Sequence, residues 1–318
     1  MNKIIVGGIP EPIGGVTTYL RRLLHRDSSQ IEWLLDFYPG NKESVREDCQ
    51  NKVIKLGSKA ALIIWLWTNR SAQTGREVSF NFSTPRALFL TLLLPKIEST
   101  RWILMLHHGN LEAGGRMRGR AIRWAVSRFD EVRSLSEAQT AFYRAMQVKP
   151  GRIVAGSSYC EPADHVDDAD ALAEVMRIKD RYSKVFVMSG FPKSLYNLEM
   201  GIDAMRALYR DDCALCVFIY GPGELRTRLM ELSTVYSWLR VYDGSSESFF
   251  NTVLRHSDVY MRLTSVESFG IAVWDANYWG LKLIATDAAD RPTNSIIIGV
   301  ENLNEKALKD SILQMVSE

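Results

Sequence analysis

The sequence between residues 262 and 292, RLTSVESFGIAVWDANYWGLKLIATDAADRP, carries the local pattern from which the fold can be inferred. Residues 271–279 are mostly apolar at helical spacing, and Gly280 follows as a helix stop. The expected buried face of this helix consists of Ile271, Trp274, Tyr278 and Trp279. The short apolar run 283–285 is typical of a buried strand. Loop, helix, glycine and strand in this order predict one unit of a parallel α/β sheet.

Two acidic side chains lie on either side of the start of this helix. Glu267 precedes Gly270, and Asp275 follows it within the helix. Backbone N–H groups around Ser268, Phe269 and Gly270 lack intrahelical acceptors, so they can bind an anion or a ring of hydroxyls. Acceptors beside such amides suit a ligand with hydroxyls at both ends and a diphosphate between them. The alternative is that the two acids only offset the helix dipole.

The composition is ordinary for a soluble globular protein. The chain has 318 residues, of which 46% are hydrophobic and 24% charged, and its length allows two domains of about 150 residues. The longest apolar runs, 60–67 and 87–94, are shorter than the ~20 residues that a membrane-spanning helix needs. Residues 1–10 are expected to form a first strand rather than a signal peptide. We therefore expect a cytoplasmic protein.

The four cysteines do not predict a metal or redox site. Cys213 and Cys216 have a spacing that occurs in zinc and redox sites, but the apolar residues around them predict a buried strand. The sequence has no second pair to complete a zinc site. Reduced cysteines fit a cytoplasmic protein, and we expect no metal ion and no cofactor.

Charge differs between the two halves of the chain. Residues 1–160 contain 23 Lys and Arg against 13 Asp and Glu, a net charge of +10, while residues 161–318 contain 16 against 24, a net charge of −8. Arg116, Arg120 and Arg123 share one face of a predicted helix, with Trp124 beside them. This face is either simply solvated or contacts anionic lipid headgroups or a phosphate-bearing acceptor.

Strand and helix patterns alternate along the whole chain. This alternation predicts two doubly wound, Rossmann-like domains, residues 1–162 and 163–318, facing each other across a cleft. The polar segment 161–170 reads as the linker between them. Ligands of such folds bind at the carboxyl ends of the strands.

Three further loops follow predicted strands. Gly14 and Gly15 permit close approach of a ligand to the backbone or form a simple tight turn, and they do not fit the dinucleotide pattern G-x-G-x-x-G. His107 and His108 end a strand, where a histidine could donate a hydrogen bond to a ligand or be structural. The third turn contains Gly221, Gly223 and Glu224.

The segment ESFGIAVWD, residues 267–275, resembles the E-x7-E region of retaining, GT-B-fold glycosyltransferases of family 4. The resemblance implies that Glu267 binds the donor sugar and that Asp275, where the family usually has Glu, binds the ribose. GGVTTYL at residues 14–20 resembles the family's glycine-rich opening, and YGPGE at 220–224 resembles its turn beneath the base. His108, with His107 as the second choice, matches a histidine that contacts the donor sugar.

The chain departs from the family at the phosphate clamp. The family has an Arg after a Gly, and a Lys about five residues later, behind the first strand of the second domain. Here Phe191 follows Gly190, and Tyr196 or Asn197 stands where the Lys would be. Lys193 is the nearest cation and could neutralise the diphosphate. Further positive charge could come from Arg262, Arg291 or helix-end amides.

The resemblance implies a hexosyltransferase-like reaction that retains the anomeric configuration. The expectation that it needs no metal rests on the assumed absence of an Asp-x-Asp motif. A sugar would pass from a nucleotide-sugar to the hydroxyl of a glycan or lipid-linked acceptor, in bacterial polysaccharide or lipopolysaccharide biosynthesis. Peripheral association with the inner face of the membrane is a further expectation. Two alternatives stay open: a catalytically silent GT-B-like binding subunit, and a DNA-modifying glycosyltransferase that uses the basic half. The sequence contains no recognised nucleic-acid-binding motif.

Overall fold

The computed structural model describes residues 2–9, 14–39, 47–108, 111, 116–162, 166–208 and 212–317, with the backbone alone at 47, 116, 117 and 317. It divides into two compact units, Met1–Ala163 and Asp164–Glu318. Each unit contains one parallel sheet with helices packed against it.

The first unit has a seven-stranded sheet over the described residues. Its strands are β1 (Lys3–Gly7), β2 (Ile31–Asp36), β3 (Val53–Lys55), β4 (Glu77–Phe82), β5 (Arg101–Leu106), β6 (Glu131–Ser134) and β7 (Ile153–Ala155). Its helices are α1 (Gly15–Arg26), α2 (Glu47–Gln50), α3 (Lys59–Thr68), α4 (Arg70–Gln73), α5 (Leu88–Thr91), α6 (Arg116–Ser127) and α7 (Glu137–Ala145). The strand order is β3-β2-β1-β4-β5-β6-β7.

The second unit has a six-stranded sheet over the described residues. Its strands are β8 (Lys184–Gly190), β9 (Cys213–Ile219), β10 (Leu239–Asp243), β11 (Val259–Arg262), β12 (Lys282–Thr286) and β13 (Ser295–Ile298). Its helices are α8 (Ala169–Lys179), α9 (Leu198–Leu208), α10 (Arg226–Val235), α11 (Glu247–Arg255), α12 (Ile271–Tyr278) and α13 (Glu305–Ser317). The strand order is β10-β9-β8-β11-β12-β13.

Central strands of both sheets are buried because helices cover both faces. All six residues of β4 and all seven of β9 are buried, as expected for a parallel sheet between helices. Cys213 and Cys216 lie in β9 with their side chains buried, so the prediction of a buried strand there is confirmed. Short polar side chains cap several helices: the Ser58 hydroxyl accepts from Ala61 N at 3.1 Å, and the Ser136 hydroxyl from Gln139 N at 3.2 Å.

Strand order reverses once in each sheet, and this determines where ligand-binding loops can lie. In the second unit the chain runs outward from β8 through β9 to β10, and then crosses back to β11 on the other side of β8. Val259 pairs with Phe186, and Met261 pairs with Met188, so β8 and β11 are direct neighbours. Their carboxyl ends therefore form a topological switch point. The equivalent point in the first unit lies between β1 and β4.

The predicted fold class, two Rossmann-like α/β domains, is confirmed, but the predicted buried face of α12 is wrong in part. The fully buried residues of this helix are Ile271, Val273, Asp275 and Ala276. Tyr278 is 36% exposed, and Trp274 instead stacks on Phe269 with 5.5 Å between ring centroids. The helix packs against β11, β12 and α11, so its buried surface is broader than a single stripe. None of the helices in the described ranges is long and apolar enough to cross a bilayer.

Candidate functional site

Gly270 is the N-cap residue of α12, and it has a backbone conformation that only glycine adopts readily. Its φ is +83° and its ψ is 62°, in the left-handed region. A Cβ atom at this position would lie 2.5 Å from Oε2 of Glu267 and 2.6 Å from Nη1 of Arg291. Gly270 is therefore required both by its dihedral angles and by the crowding of two charged side chains.

Glu267 forms ion pairs with two arginines. Its Oε1 accepts hydrogen bonds from Nε of Arg262 at 3.0 Å and from Nη2 of the same side chain. Its Oε2 accepts from Nη2 of Arg291 at 2.8 Å. The exposed fractions of the three side chains are 12% for Arg262, 9% for Glu267 and 3% for Arg291. We call these three residues the arginine–glutamate cluster.

The protonation state of Glu267 follows from this environment. Burial alone would raise the pKa of Glu267, but Arg262 and Arg291 outweigh burial and hold the pKa below its usual value. Glu267 is therefore a carboxylate at neutral pH. A carboxylate offers about four acceptor positions, and the two arginines occupy three of those of Glu267.

Arg291 also fixes the loop before α12. Its Nε donates to the Thr286 carbonyl at 2.8 Å, and its Nη1 donates to the Phe269 carbonyl at 3.2 Å. These bonds tie the end of β12 to the loop in which we expect the ligand-binding amides of residues 268–270. The first N–H groups of α12 have no acceptor within the helix, so this end suits an anion.

Asp275 lies one turn into α12 and is 2% exposed. Its backbone carbonyl accepts the Trp279 N–H at 3.0 Å, as expected within a helix. The side chain is thus in the interior part of the helix surface rather than at an open rim. That Asp275 binds a ribose stays a prediction.

The loop after β8 packs directly on the loop after β11. A Cβ on Gly190 would lie 2.5 Å from Cδ1 of Tyr196, so the glycine makes room for this ring. Asn197 has a left-handed conformation, with φ at 51°, and its Nδ2 donates to the Leu263 carbonyl at 2.7 Å. The Ser265 N–H in turn donates to the Leu195 carbonyl at 2.9 Å.

Aromatic rings connect Lys193 with the arginine–glutamate cluster. The Lys193 ammonium lies 5.4 Å from the centroid of the Phe191 ring, and this ring lies 5.8 Å from the ring of Tyr196. The Tyr196 ring faces the Arg262 guanidinium at 5.1 Å. Tyr196 and Asn197, which interrupt the expected cation pattern in the sequence, thus shape the site through packing and hydrogen bonds.

The turn after β9 is bonded to the same loop. Gly221 has a φ of +63°, and a Cβ on Gly223 would lie 2.1 Å from the Pro192 carbonyl oxygen. Oε1 of Glu224 accepts the Ser194 N–H at 2.8 Å, and this hydrogen bond lowers the pKa of Glu224. The predicted donor-binding loops of the second unit therefore meet at the carboxyl ends of β8, β9 and β11.

In the first unit, His107 and His108 follow β5 and have different environments. His107 is 9% exposed, its Nε2 lies 3.1 Å from Oδ1 of Asn81, and its ring lies 5.2 Å from the ring of Tyr19. Burial lowers the pKa of His107 to about 3, so its ring is neutral at pH 7. His108 is only half-buried, and its carbonyl accepts Nε2 of Gln139 at 3.1 Å. His108 is therefore the more accessible of the two predicted histidines.

Gly14 is the N-cap of α1 and has an extended backbone with φ at −128°. A Cβ at Gly14 would meet none of the described atoms within 4 Å. Gly15, the first residue of α1, is exposed.

On α6, Arg120 and Arg123 are exposed, whereas the side chain of Arg116 lies outside the described part of the chain. Trp124 beside them is 61% exposed.

Two features bear on metal binding. Within the described residues, the potential ligand atoms of His25, Asp48 and Cys49 lie within 4.8 Å of one another. The expectation of no metal also assumes that the chain has no Asp-x-Asp motif, but Asp168 and Asp170 form one such triplet. Asp168 is the N-cap of α8, where its Oδ1 accepts the Ala171 N–H at 3.0 Å, so helix capping explains its position.

No protein-family model matches the sequence, and no curated protein matches it. Solved structures do match. HepE from Anabaena, in complex with UDP, is 12% identical with a TM-score of 0.74, over 99% of this chain and 90% of HepE. Sucrose-phosphate synthase from Thermosynechococcus elongatus is 15% identical with a TM-score of 0.75, over 100% of this chain and 90% of that one.

WaaG, a glycosyltransferase involved in lipopolysaccharide biosynthesis, is 14% identical with a TM-score of 0.66, over 99% of this chain and 90% of WaaG. At such identities a structural match establishes the fold and leaves the activity open. The fold that the sequence resemblance implies is confirmed: the chain has the GT-B fold, with two Rossmann-like domains, of these glycosyltransferases.

Proposed function

We propose that this protein is a retaining glycosyltransferase that moves a sugar from a nucleotide-sugar donor to an acceptor hydroxyl. The observation that carries the proposal is the loop at residues 267–270. It joins a buried carboxylate, two arginines and the amide end of α12 at the switch point of the second sheet. Such a place can bind a diphosphate and a polyhydroxylated ring together.

Each donor-binding residue has a proposed role within the second unit. Glu267 accepts a hydrogen bond from a sugar hydroxyl, and the amides near Ser268, Phe269 and Gly270 bind the sugar and phosphate. Asp275 binds the ribose. The turn at Gly221, Gly223 and Glu224 lies beneath the base, and Gly190 and Lys193 border the diphosphate.

The first unit is proposed to bind the acceptor. Gly14 and Gly15 are proposed to let a ligand approach the start of α1, and none of the described atoms lies within 4 Å of the Cβ position at Gly14. His108, more accessible than His107, donates a hydrogen bond on the donor side. Its neighbour His107 supports the strand end through its contact with Asn81.

Cleavage of the donor bond is helped mainly by stabilisation of the leaving diphosphate. Hydrogen-bond donors that are fixed before the reaction lower the barrier more than donors that must reorient. Hydrogen bonds of Arg291 to Phe269 and Thr286 support such fixed geometry around the loop amides. We propose retention at the anomeric carbon, from the resemblance of residues 267–275 to family 4, and a reaction without metal.

The proposed acceptor is a glycan or a lipid-linked sugar in polysaccharide or lipopolysaccharide assembly. WaaG supports this, since its name places it in lipopolysaccharide biosynthesis. We also propose that Arg116, Arg120 and Arg123, with Trp124, contact anionic lipid at the inner face of the membrane. The exposure of Arg120, Arg123 and Trp124 supports such a contact.

A catalytically silent binding subunit is the second candidate. It is favoured by Phe191 in place of the family's arginine, and by the occupation of three acceptor positions of Glu267. A panel of nucleotides and nucleotide-sugars tests both candidates by calorimetry and by sugar release. UDP and UDP-glucose are the first probes, because HepE has been solved with each of them. Binding with turnover supports the transferase, binding alone supports the silent subunit, and no binding at millimolar levels excludes the proposed donor site.

A further inference from the structure

We infer that Arg262 and Arg291 supply the positive charge for the donor's diphosphate, and that Glu267 is the positioning residue for both. The inference rests on the proposed function, because the diphosphate is that of the proposed donor. It assigns the charge to Arg262 at the end of β11 and to Arg291 after β12, rather than to Lys193 or to any other residue of the loop after β8.

Among the ion pairs of the described residues, the cluster has one positive charge in excess. Two guanidiniums share the single carboxylate of Glu267, and all three side chains are at most 12% exposed. A buried charge is costly unless it has a partner, so this cluster, with a net charge of +1, favours an anion nearby. The amide end of α12 adds partial positive charge beside Gly270.

Arg291 directs a backbone donor towards the proposed anion. Its Nη1 binds the Phe269 carbonyl at 3.2 Å. In a trans peptide the carbonyl and the following N–H point in opposite directions, so the N–H of Gly270 points away from Arg291. Gly270 itself leaves the space that a Cβ would fill next to Glu267 and Arg291. Arg291 thus acts on the ligand through its charge and through the orientation of this amide.

The loop after β8 packs against Arg262, one of the two arginines to which we assign the positive charge. Tyr196 of this loop lies over the Arg262 guanidinium, and Arg262 donates to the carbonyl of Ser189 in β8, so the loop and the strand hold the arginine from two sides. Asn197 bonds to the Leu263 carbonyl, next to Arg262 in the chain. A cationic side chain at position 191 or 196 would lie near Arg262 and repel its positive charge. The two aromatic side chains and the two arginines therefore form one consistent arrangement.

Inorganic pyrophosphate is the probe that tests this assignment, since it needs neither the correct base nor the correct sugar. Calorimetric titration compares the wild type with Arg262→Gln, Arg291→Gln, Arg262→Lys and Lys193→Gln. Arg240→Gln, on β10 and outside the cluster, is the control. We expect both Gln variants of the cluster to bind pyrophosphate about tenfold more weakly or worse. We expect the control to remain near the wild type and Lys193→Gln to lose less than either Gln variant of the cluster. Arg262→Lys keeps the positive charge but loses the hydrogen-bonding fork to Glu267, so we expect it to bind pyrophosphate more weakly than the wild type and more tightly than Arg262→Gln.

Wild-type affinity in the Arg262→Gln and Arg291→Gln variants would overturn the assignment, as would no binding by the wild type. A Lys193→Gln variant that alone abolishes binding would also overturn it. Should the Gln variants not fold, the folded Lys variant decides, and its failure to bind contradicts a role based on charge. Arginine-dependent pyrophosphate binding without any sugar transfer would defeat the proposed function only. Sugar transfer with pyrophosphate binding unaffected by the arginines would defeat this inference only.

Discussion

Glu267 and Arg291, 24 positions apart in the chain, form a buried ion pair with 2.8 Å between Oε2 and Nη2. The pair joins the loop after β11 to the segment after β12. Arg262, the last residue of β11, forms a second ion pair with Glu267. One carboxylate therefore holds together the segment that also contains Gly270 and the start of α12. The stability of this segment and the binding of the donor should depend on the same few side chains.

Removing Arg291 should destabilise the protein strongly. Arg291→Ala removes the buried hydrogen bonds that this side chain donates to Glu267, Phe269 and Thr286, and each buried acceptor that loses its donor costs about 1–3 kcal/mol. Lys306→Ala, which breaks an exposed pair with Asp310, is the control and should have little effect. Denaturant unfolding of both variants measures the difference. Equal free energies of unfolding for the two variants would show that the buried pair is not stabilising.

Two glycines of positive φ allow backbone strain to be separated from crowding. Gly270 has φ at +83° with charged atoms where its Cβ would be, and Gly280 has φ at +79° with none of the described atoms within 4 Å of its Cβ position. Gly280→Ala should cost about 1–2 kcal/mol through strain alone. Gly270→Ala should cost more and should also weaken pyrophosphate and UDP binding. Chemical denaturation and calorimetry measure the two effects, and identical behaviour of the two variants would contradict the crowding at Gly270.

Acid should weaken the contribution of Glu267 to stability. The lowered folded pKa means that the stabilisation is fully present above the unfolded value, about 4.3, and is lost as pH falls through the folded pKa. The difference in unfolding free energy between wild type and Glu267→Gln should therefore be constant near neutrality and should shrink below about pH 4.3. A difference that stays the same down to pH 3 would refute this.

Buried neutral His107 should give the first unit a second pH dependence. Its folded pKa of about 3 lies below the unfolded value of about 6.5, so the unfolded chain binds the proton first as pH falls. Stability should fall between these pH values, with a slope of up to about 1.4 kcal/mol per pH unit. His107→Asn should flatten this slope, and His108→Gln is the control for loss of a histidine at the same strand end. The pH dependence of urea unfolding measures both, and an unchanged slope in His107→Asn would contradict burial of the neutral ring.

Binding to anionic vesicles should depend on one face of α6. Replacing Arg116, Arg120 and Arg123 by Ser should remove about 1 kcal/mol of attraction per residue, so vesicle association should be lost. Arg118, exposed on the same helix but off this face, provides the control Arg118→Ser. Co-sedimentation at low and high salt with anionic and neutral lipids measures the effect. Equal binding to both lipids, or binding retained in the triple variant, would remove this face as the membrane contact.

Much of the fold could be predicted because strands such as β1, β5, β8 and β9 have clear apolar runs. Short or partly exposed elements have a weak sequence pattern. The strands β7 and β13 have only three and four residues, and both are partly exposed. Helix α8 begins at Ala169, inside the predicted linker 161–170, because Asp168 caps it in a polar stretch that reads as loop. Such elements are determined by pairing and packing rather than by their own pattern.

The candidate site could be predicted as a set of loops but not as a set of contacts. Glu267 and Gly270 stand out in the sequence, and the parallel fold brings the loops after β8, β9 and β11 to one edge. The two arginines that bind Glu267 could be named only as possible sources of charge, because pairing across 24 residues leaves no local pattern. Likewise, the roles of Tyr196 and Asn197 depend on the neighbouring loop, so the sequence shows only that they replace the expected cation.

Turnover of a nucleotide-sugar by wild type and by Glu267→Gln tests the proposed transferase most directly. Glu231→Gln, an exposed position on α10, is the control. With the donor found in the binding panel, we expect the wild type and the control to transfer or release the sugar. We expect Glu267→Gln to stay folded by circular dichroism and to lose most turnover, about 100-fold or more, since an interaction at the reacting sugar is removed. Turnover in folded Glu267→Gln equal to that of the wild type would contradict the assignment of the site.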